Sequence, residues 1–204
     1  IMFECVQGEG GVIALDKDFV LKTVKFAQDN DILIIVDEVQ TGNGRSGKMY
    51  AYMNFGIQPD IVTTAKGLGG GLPIGAFMLG EKTENVLKKG EHGSTFGANP
   101  VCCAAALSVI NRIDDKLLSE VKEKSEYIFS ELKDADGVVS VSGMGLMIGI
   151  KTEKKALDVV NALMEKGVLC LTAKDKVRLL PALNIPMEIL KEAIMIIKET
   201  IKGE

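Results

Sequence analysis

A lysine, Lys66, stands where a β-branched run gives way to a glycine-rich turn. The run is IVTT at residues 61–64, and the turn is KGLGGGLP at residues 66–73. In an open α/β sheet, the residue that follows a buried strand lies in the crevice where ligands bind. An amine that is desolvated in such a crevice holds its proton less tightly, so Lys66 is predicted to be a nucleophile. The alternative is an ordinary exposed lysine in a loop.

An acid, Asp37, ends a second apolar run, ILIIV at residues 32–36. Unbroken aliphatic runs are typical of parallel strands buried on both faces, so Asp37 is predicted at the carboxyl end of a strand. A carboxylate there needs a cation or a hydrogen-bond donor, because its desolvation is costly. Pyridoxal phosphate needs both groups, since a lysine holds its aldehyde and an acid keeps its ring nitrogen protonated. The sequence therefore predicts pyridoxal 5'-phosphate as the cofactor, unless Asp37 merely caps the following turn.

Five segments, two of which contain Asp37 and Lys66, carry a resemblance to a known family. They are ECVQGEGG at 4–11, DEVQTG at 37–42, AKGLGGG at 65–71, GEHGSTFGANP at 90–100 and VRLLP at 177–181. In these motifs and in their order the chain resembles the class III, or ornithine-type, pyridoxal-phosphate aminotransferases from end to end. Cys5 departs from the pattern, since the family usually has proline there, and a less rigid loop is the expected result.

The resemblance implies roles for four residues at the cofactor. Lys66 would form the internal aldimine and then shuttle the substrate proton. Asp37 would pair with the ring nitrogen, and Gln40 would donate to the ring hydroxyl. Val39 would pack on the ring face, although in isolation it would be a core valine.

A glycine-flanked loop contains Ser94 and Thr95, whose hydroxyls and amides suit a phosphate group. The resemblance implies that Thr95 reaches the phosphate bound in a neighbouring subunit, which predicts a homodimer with shared sites. Without the surrounding motif, an ordinary Ser/Thr turn would be the better interpretation. His92 lies in the same loop and matches a family position of structural role.

Substrate carboxylates are expected to bind Arg178, because a guanidinium grips a carboxylate with two parallel hydrogen bonds. The resemblance implies that Arg178 binds the α-carboxylate of 2-oxoglutarate or glutamate. Glu9 matches the family glutamate that pairs with this arginine when an ω-amino substrate is bound. Glu4 is expected to support that site, or else is a charge near a strand end.

The implied reaction is a ping-pong transamination that moves the ω-amino group of N-acetylornithine to 2-oxoglutarate, a step of arginine biosynthesis. Ornithine, succinylornithine and 4-aminobutyrate aminotransferases share most of these motifs, so the amino donor stays open. A glutamate-semialdehyde-type aminomutase would use the same lysine and aspartate, but Gln40 and the pair of Glu9 with Arg178 fit a transaminase better. A cofactor-free scaffold or dimerisation piece is the non-enzymatic alternative.

Composition excludes several other classes of function. The formal net charge of -4 argues against a nucleic-acid backbone as partner. Apolar runs are strand-sized and no signal-peptide pattern opens the chain, so a cytoplasmic protein with no membrane contact is expected. The four cysteines lack metal-ligand spacing and are expected to be reduced core thiols.

Helix and strand signals alternate in the first half of the chain, which indicates parallel βαβ units. Predicted there are a helix capped by Asp16 with Phe19, Val20, Val24 and Ala27 on one face, strands at 32–36, 61–64 and 74–79, a helical piece at 49–54, and a long helix opened by Asn99 and Pro100. The second half is predicted to have strands at 138–141, 146–150, 168–171 and 177–180 and helices at 154–166 and 187–202.

The predicted fold is therefore α/β and, by resemblance, that of a fold-type I pyridoxal-phosphate transferase. Residues 1–110 would form part of the large, mostly parallel-sheet domain, and residues 111–204 a small α+β domain. Residues 1–6 read as the middle of a buried strand, which predicts a fragment. The resemblance implies that roughly the first half of the family's chain is absent, and that this chain alone is a poor catalyst.

Overall fold

The structure, a computed structural model, describes residues 1–202. The α-helices of this part are α1 (Lys17–Asp29), α2 (Tyr52–Phe55), α3 (Pro100–Ile110), α4 (Asp115–Leu132), α5 (Ala156–Glu165) and α6 (Met187–Lys202). The strands are β1 (Met2–Phe3), β2 (Val6–Gln7), β3 (Ile13–Ala14), β4 (Ile35–Asp37), β5 (Ile61–Thr64), β6 (Ala76–Leu79), β7 (Val138–Met144), β8 (Met147–Thr152), β9 (Leu171–Ala173) and β10 (Lys176–Leu179). A 3₁₀ turn spans Lys66–Gly69.

The chain divides into two compact units. Unit 1 comprises Ile1–Cys5, Leu15–Gly44 and Lys48–Asp114. Unit 2 comprises Val6–Ala14, Arg45–Gly47 and the chain from Asp115 onward. The two domains proposed from the sequence stay a prediction, and the units differ from that linear division because two early segments pack with the C-terminal residues.

Unit 1 is built on a four-stranded mixed sheet with the order β1-β4-β5-β6. The first three strands are parallel and β6 is antiparallel to β5. Since α1 connects β1 to the parallel strand β4, the predicted βαβ unit is present. The strand predicted at 32–36 was too long. The backbone N–H of Ile32 instead bonds to Ala27 at the end of α1, and that of Ile34 bonds to the carboxylate of Asp60.

Local signals place the ends of the helices in unit 1. Asp16 caps α1 by accepting a 2.8 Å hydrogen bond from the N–H of Phe19, as predicted. The phenyl ring of Phe19 was wrongly assigned to the buried face; the residue is 58% exposed, because it lies one helical position from the stripe. Asn99 caps α3 through the N–H groups of Val101 and Cys102. The long helix predicted to begin there is two helices, since α3 ends at Ile110.

The first residues do not form the single buried strand that was predicted. Met2–Phe3 pairs with β4 in the sheet of unit 1, whereas Val6–Gln7 pairs with β3 in a two-stranded hairpin of unit 2. Met2 is exposed, so β1 is not buried on both faces.

Unit 2 has a four-stranded antiparallel sheet with the order β7-β8-β10-β9. Its aliphatic core lies between this sheet and the helices α4, α5 and α6, and β8 buries five of its six residues. The helix α6 has the predicted bounds. The strand predicted at 168–171 begins three residues later, at Leu171. Within residues 1–202, no helix combines the length and the apolarity needed to cross a bilayer.

Candidate active site

The predicted amine and the predicted acid follow neighbouring parallel strands in unit 1. Asp37 is the last residue of β4 and lies in register with Thr63 of β5. Lys66 comes three residues after Thr63 and has a φ of 47°. The residue is exposed, so the desolvation predicted for its amine from the sequence is wrong for the described chain, and the amine lies open at the start of the 3₁₀ turn. Since the carboxyl ends of parallel strands meet at one edge of a sheet, the topology brings both residues to the same edge.

Two hydrogen bonds orient the carboxylate of Asp37. Its Oδ1 accepts from the backbone N–H of Val39 at 2.9 Å and from the hydroxyl of Thr63 at 3.2 Å. The first bond is the turn cap that the sequence left open as an alternative. Both bonds use Oδ1 and hold the carboxylate in place, so Asp37 can cap the turn and also bind a ligand. Val39 and Gln40 are half-buried in this loop.

Glu38, which the sequence did not single out, is fully buried beneath the same loop. Its Oε1 accepts from the N–H of Tyr52 at 2.8 Å, and its Oε2 accepts from the hydroxyl of Thr41 at 2.6 Å. Burial raises the pKa of Glu38 above its ordinary value of 4.5, and the two hydrogen bonds oppose that rise. Alternation along a strand was the available signal, because neighbours of a strand-end residue point to opposite faces.

Cys5, the residue at the place of the family's usual proline, is buried as a neutral thiol. Burial, assisted by the charge of Glu38, raises the pKa of Cys5 to about 12. Cys102, Cys103 and Cys170 are half-buried free thiols, so the prediction of core thiols is met in full by Cys5 alone.

The loop predicted to hold a phosphate is exposed in unit 1. Ser94 and Thr95 are both exposed, and the N–H of Gly97 donates to the carbonyl of Ser94 at 3.0 Å. The ring of His92 meets the ring of Phe77 edge-on with 5.0 Å between centroids, in keeping with a structural position.

Arg178 and Glu9 form an ion pair within unit 2. Arg178 lies in β10 and Glu9 lies in the hairpin turn between β2 and β3; Nη1 and Oε1 are 2.6 Å apart. The arginine side chain is 9% exposed and the glutamate side chain 75%. The exposed Glu9 carboxylate is readily solvated, but the buried guanidinium would be left uncompensated without it, so another carboxylate must take its place if Glu9 leaves. The Nε of Arg178 is buried without a hydrogen-bond partner among the described residues. Glu4, the third predicted substrate residue, is half-buried in unit 1.

Arg45 holds the segment that follows Arg178. Its Nη1 donates to the carbonyl oxygens of Leu146 and Pro181, and its own carbonyl accepts from the N–H of Leu146 at 2.9 Å. Burial lowers the pKa of Arg45 to about 10, so the guanidinium stays charged at neutral pH. Only the position of Arg45 between the turn glycines Gly44 and Gly47 could have indicated this role from the sequence.

The groups present in unit 1 fit pyridoxal phosphate. An accessible amine and an oriented carboxylate at one sheet edge are the pair that an aldehyde and a pyridine nitrogen require. A buried amide oxygen, Oδ1 of Asn43, also has no hydrogen-bond partner among residues 1–202 and can accept one from a bound group.

Comparisons with known proteins agree with this chemistry. The chain is 48% identical over 203 residues to an acetylornithine aminotransferase of Haemophilus ducreyi, covering 98% of this chain and 52% of that protein. It is 43% identical over 200 residues to that of Aquifex aeolicus, covering 98% and 53%. The chain thus spans about half the length of the curated relatives it matches.

The solved structures that match the chain are also aminotransferases. The acetylornithine aminotransferase of Elizabethkingia anophelis matches with a TM-score of 0.90 and 34% identity, over 98% of this chain and 53% of that one. Ornithine δ-aminotransferase of Plasmodium falciparum matches with a TM-score of 0.90 and 34% identity, over 98% and 55%. The family described as aminotransferase class-III matches residues 1–201. The chain belongs to the class III aminotransferases.

Proposed function

We propose that this chain supplies the lysine-bearing part of a pyridoxal-phosphate-dependent aminotransferase that moves the ω-amino group of N-acetylornithine to 2-oxoglutarate. The observation that carries the proposal is the position of Lys66 and Asp37 after adjacent parallel strands. The relatives of Haemophilus ducreyi and Aquifex aeolicus are acetylornithine aminotransferases, which supports N-acetylornithine as the amino donor. Ornithine is the second candidate, because the matching solved structures include ornithine aminotransferases.

Bound pyridoxal phosphate would supply an electron sink for the electrons released at the substrate carbon. Lys66 would hold the cofactor through Nζ and then carry a proton from that carbon. Asp37 would keep the ring nitrogen protonated, and the N–H of Val39 and the hydroxyl of Thr63 would keep the carboxylate in place.

Other residues of unit 1 would complete the cofactor contacts. Val39 would pack against the ring and Gln40 would donate to the ring hydroxyl. Ser94 and Thr95 are exposed, which leaves them available to the phosphate of a second subunit. A homodimer with shared sites is therefore part of the proposal.

The ion pair of unit 2 would let one enzyme accept two differently charged substrates in turn. With an ω-amino substrate, Glu9 would stay on Arg178 and neutralise it. With 2-oxoglutarate, the exposed Glu9 would leave and the guanidinium would bind the α-carboxylate. Such alternation is what a ping-pong transamination needs, and Glu4 is proposed to support the same step.

The first test asks whether unit 1 selects Lys66 for the cofactor. The chain is incubated with pyridoxal phosphate and reduced with borohydride, and the modified peptide is mapped by mass spectrometry. We expect one stoichiometric adduct at Lys66, lost in Lys66→Ala and kept in Lys89→Ala, which removes an exposed lysine of the same unit. Labelling scattered over many lysines would contradict the proposal for this chain.

The second test asks which amine is the donor. A chimera carries this chain in place of the aligned segment of the Haemophilus ducreyi enzyme, and its rates are compared for N-acetylornithine, N-succinylornithine, ornithine and 4-aminobutyrate with 2-oxoglutarate. We expect N-acetylornithine to have the highest kcat/KM. Preference for ornithine would transfer the proposal to the second candidate, and absence of transfer to 2-oxoglutarate from any donor would count against both.

A further inference from the structure

A buried asparagine, Asn43, ties the loop after β4 to the end of β5. Its Nδ2 donates to the hydroxyl of Thr64 at 3.2 Å and to the carbonyl oxygen of Ala65 at 3.3 Å. The residue is 7% exposed and has a φ of 54°. Asparagine is among the few residues that tolerate this left-handed conformation, so both its backbone and its side chain suit the place.

The orientation of the amide follows from its partners. The carbonyl of Ala65 can only accept, so the nitrogen of Asn43 must face it. The oxygen Oδ1 is then left buried without a hydrogen-bond partner among the described residues. Asn43 thus donates through Nδ2 while its Oδ1 stays buried without a partner among the described residues. An unsatisfied buried acceptor is costly, so the hydrogen bonds from Nδ2 must offset that cost.

The carbonyl of Ala65 is the last group before Lys66, and it serves two donors. Besides the amide of Asn43, it accepts from the N–H of Leu68 at 3.0 Å, the bond that starts the 3₁₀ turn Lys66–Gly69. Lys66 itself has a left-handed φ of 47°, a conformation that a lysine rarely adopts. Neighbouring contacts must hold such a backbone, and the shared carbonyl is placed to do so.

We propose that Asn43 is a positioning residue for Lys66: its amide fixes the Ala65 carbonyl and thereby the direction in which the reactive amine leaves the end of β5. The role of Lys66 rests on the proposed function. The fixing of the Lys66–Gly69 turn by Asn43 stands apart from that function and is open to measurement without cofactor.

Three variants separate the interactions. Asn43→Gly removes the side chain and keeps the left-handed backbone, and Asn43→Asp keeps the shape but turns a donor into an acceptor facing a carbonyl. Thr64→Val removes one acceptor and leaves the bond to Ala65. The matched control is Asn30→Gly, which removes an amide bond to the carbonyl of Phe26 elsewhere in unit 1.

Native-state hydrogen exchange on the chain without cofactor gives the primary readout. We expect the amides of Leu68 and Gly70 to exchange roughly five- to tenfold faster in Asn43→Gly and Asn43→Asp, with a smaller change in Thr64→Val and none in the control. Competitive acetylation mapped by mass spectrometry should show a matching rise at Lys66 relative to the other lysines. Unchanged exchange at these two amides would overturn the inference. Equal acceleration throughout unit 1, including the case of an unfolded variant, would overturn it too, because it would show a general structural role.

Borohydride labelling with pyridoxal phosphate then distinguishes this inference from the proposed function. Scattered labelling of the unaltered chain together with a local exchange effect in Asn43→Gly would reject the function and keep the positioning role. Specific labelling at Lys66 that is equally fast in Asn43→Gly would keep the function and reject the positioning role.

Discussion

The helices α3 of unit 1 and α6 of unit 2 are both rich in aliphatic residues, but only α6 buries them. Leu190, Ile194, Ile197 and Ile201 form a buried stripe along α6. Along α3 only Ala106 is buried, and Val101 and Leu107 are each more than 60% exposed. A helix that is apolar on all sides normally lies inside a protein, so α3 has faces that the described residues leave open.

A similar difference separates the central strand β8 of unit 2 from the edge strand β6 of unit 1. Strand β8 of unit 2 buries five of six residues, whereas β6 of unit 1 buries none of its four and exposes Phe77 and Met78. Lys66 and Asp37 thus belong to the unit with open apolar surface, while the ion pair of Arg178 and Glu9 belongs to the unit with a closed core. The contribution of the unit 2 core and that of the exposed apolar surface of unit 1 to the free energy of unfolding can be tested separately.

The largest expected effect lies at Gly143, near the end of β7, where this strand pairs with β8. Gly143 has a φ of +117°, and a Cβ there would lie 2.0 Å from the carbonyl oxygen of Met147. Gly143→Ala should lower the free energy of unfolding by about 3 kcal/mol or more, measured by urea titration with far-ultraviolet circular dichroism. Gly167→Ala is the control, because its φ of +84° is similarly unusual but no atom lies within 4 Å; its cost should be about 1 kcal/mol. Equal costs would mean that the pairing of β7 with β8 leaves room for a methyl group at Gly143.

Core truncations should separate the two sheets. Ile150→Ala, in β8, should cost roughly 2–5 kcal/mol, because the side chain is fully buried in the core of unit 2. Met78→Ala, in β6, should cost less than about 1 kcal/mol, because the residue is 39% exposed. Urea titrations of both variants against the unaltered chain provide the measurement. Should Met78→Ala prove as costly as Ile150→Ala, another chain or copy must cover β6 in solution.

Glu38 gives unit 1 a pH dependence of stability. Its pKa is raised in the folded state above 4.5, so the folded chain binds its proton more tightly than the unfolded chain does. The free energy of unfolding, relative to Glu38→Gln, should therefore be greatest at or below pH 4.5 and should fall as the pH rises through the raised pKa. Urea titrations of both chains between pH 4 and 8 test this, and Cys5 does not interfere because its ordinary pKa is 9.0. A difference that stays constant over this range would contradict the buried carboxylate.

Surface ion pairs should contribute least to the difference between the units. Asp29→Asn breaks the exposed pair with Lys25 on α1, where the oxygen and nitrogen are 2.9 Å apart, and should cost at most about 0.5 kcal/mol. Glu131→Gln breaks the comparable pair with Lys198 of α6 in unit 2 and should cost less than about 1 kcal/mol. Thermal unfolding of both variants provides the measurement. If Glu131→Gln loses much more stability than Asp29→Asn, ion pairs as well as packing distinguish unit 2 from unit 1.

Features with local causes were predictable from the sequence. Asp16 and Asn99 begin helices through bonds to residues at most three positions away, so their patterns are complete in a short window. The start of β4 was mispredicted because the carboxylate of Asp60, 26 positions from Ile34, accepts the hydrogen bond of the Ile34 N–H. Strand limits depend on such distant partners and cannot be read from an apolar run.

The candidate site residues also divide into those with local signals and those that depend on distant partners. Lys66 and Asp37 stood out because a strand end is visible in the sequence, and their roles stay proposals. Arg45 was missed because its partners lie 101 and 136 positions away. Glu38 was missed although the alternation at the end of β4 could have indicated it. Asn43 was missed because nothing in a short window separates its buried side chain from a solvated one.

The hairpin of β2 and β3 has a consequence for synthesis on the ribosome. Glu9 precedes its partner Arg178 by 169 residues. At ordinary rates of translation the hairpin therefore leaves the ribosome roughly 10–30 s before the strand it must meet. A hairpin with two residues in each strand has no stability of its own, so this segment must remain unfolded during that time. The ion pair of unit 2 can form only after nearly the whole described chain has been made, and a break in the unfolded chain between residues 15 and 170 would separate Glu9 from Arg178.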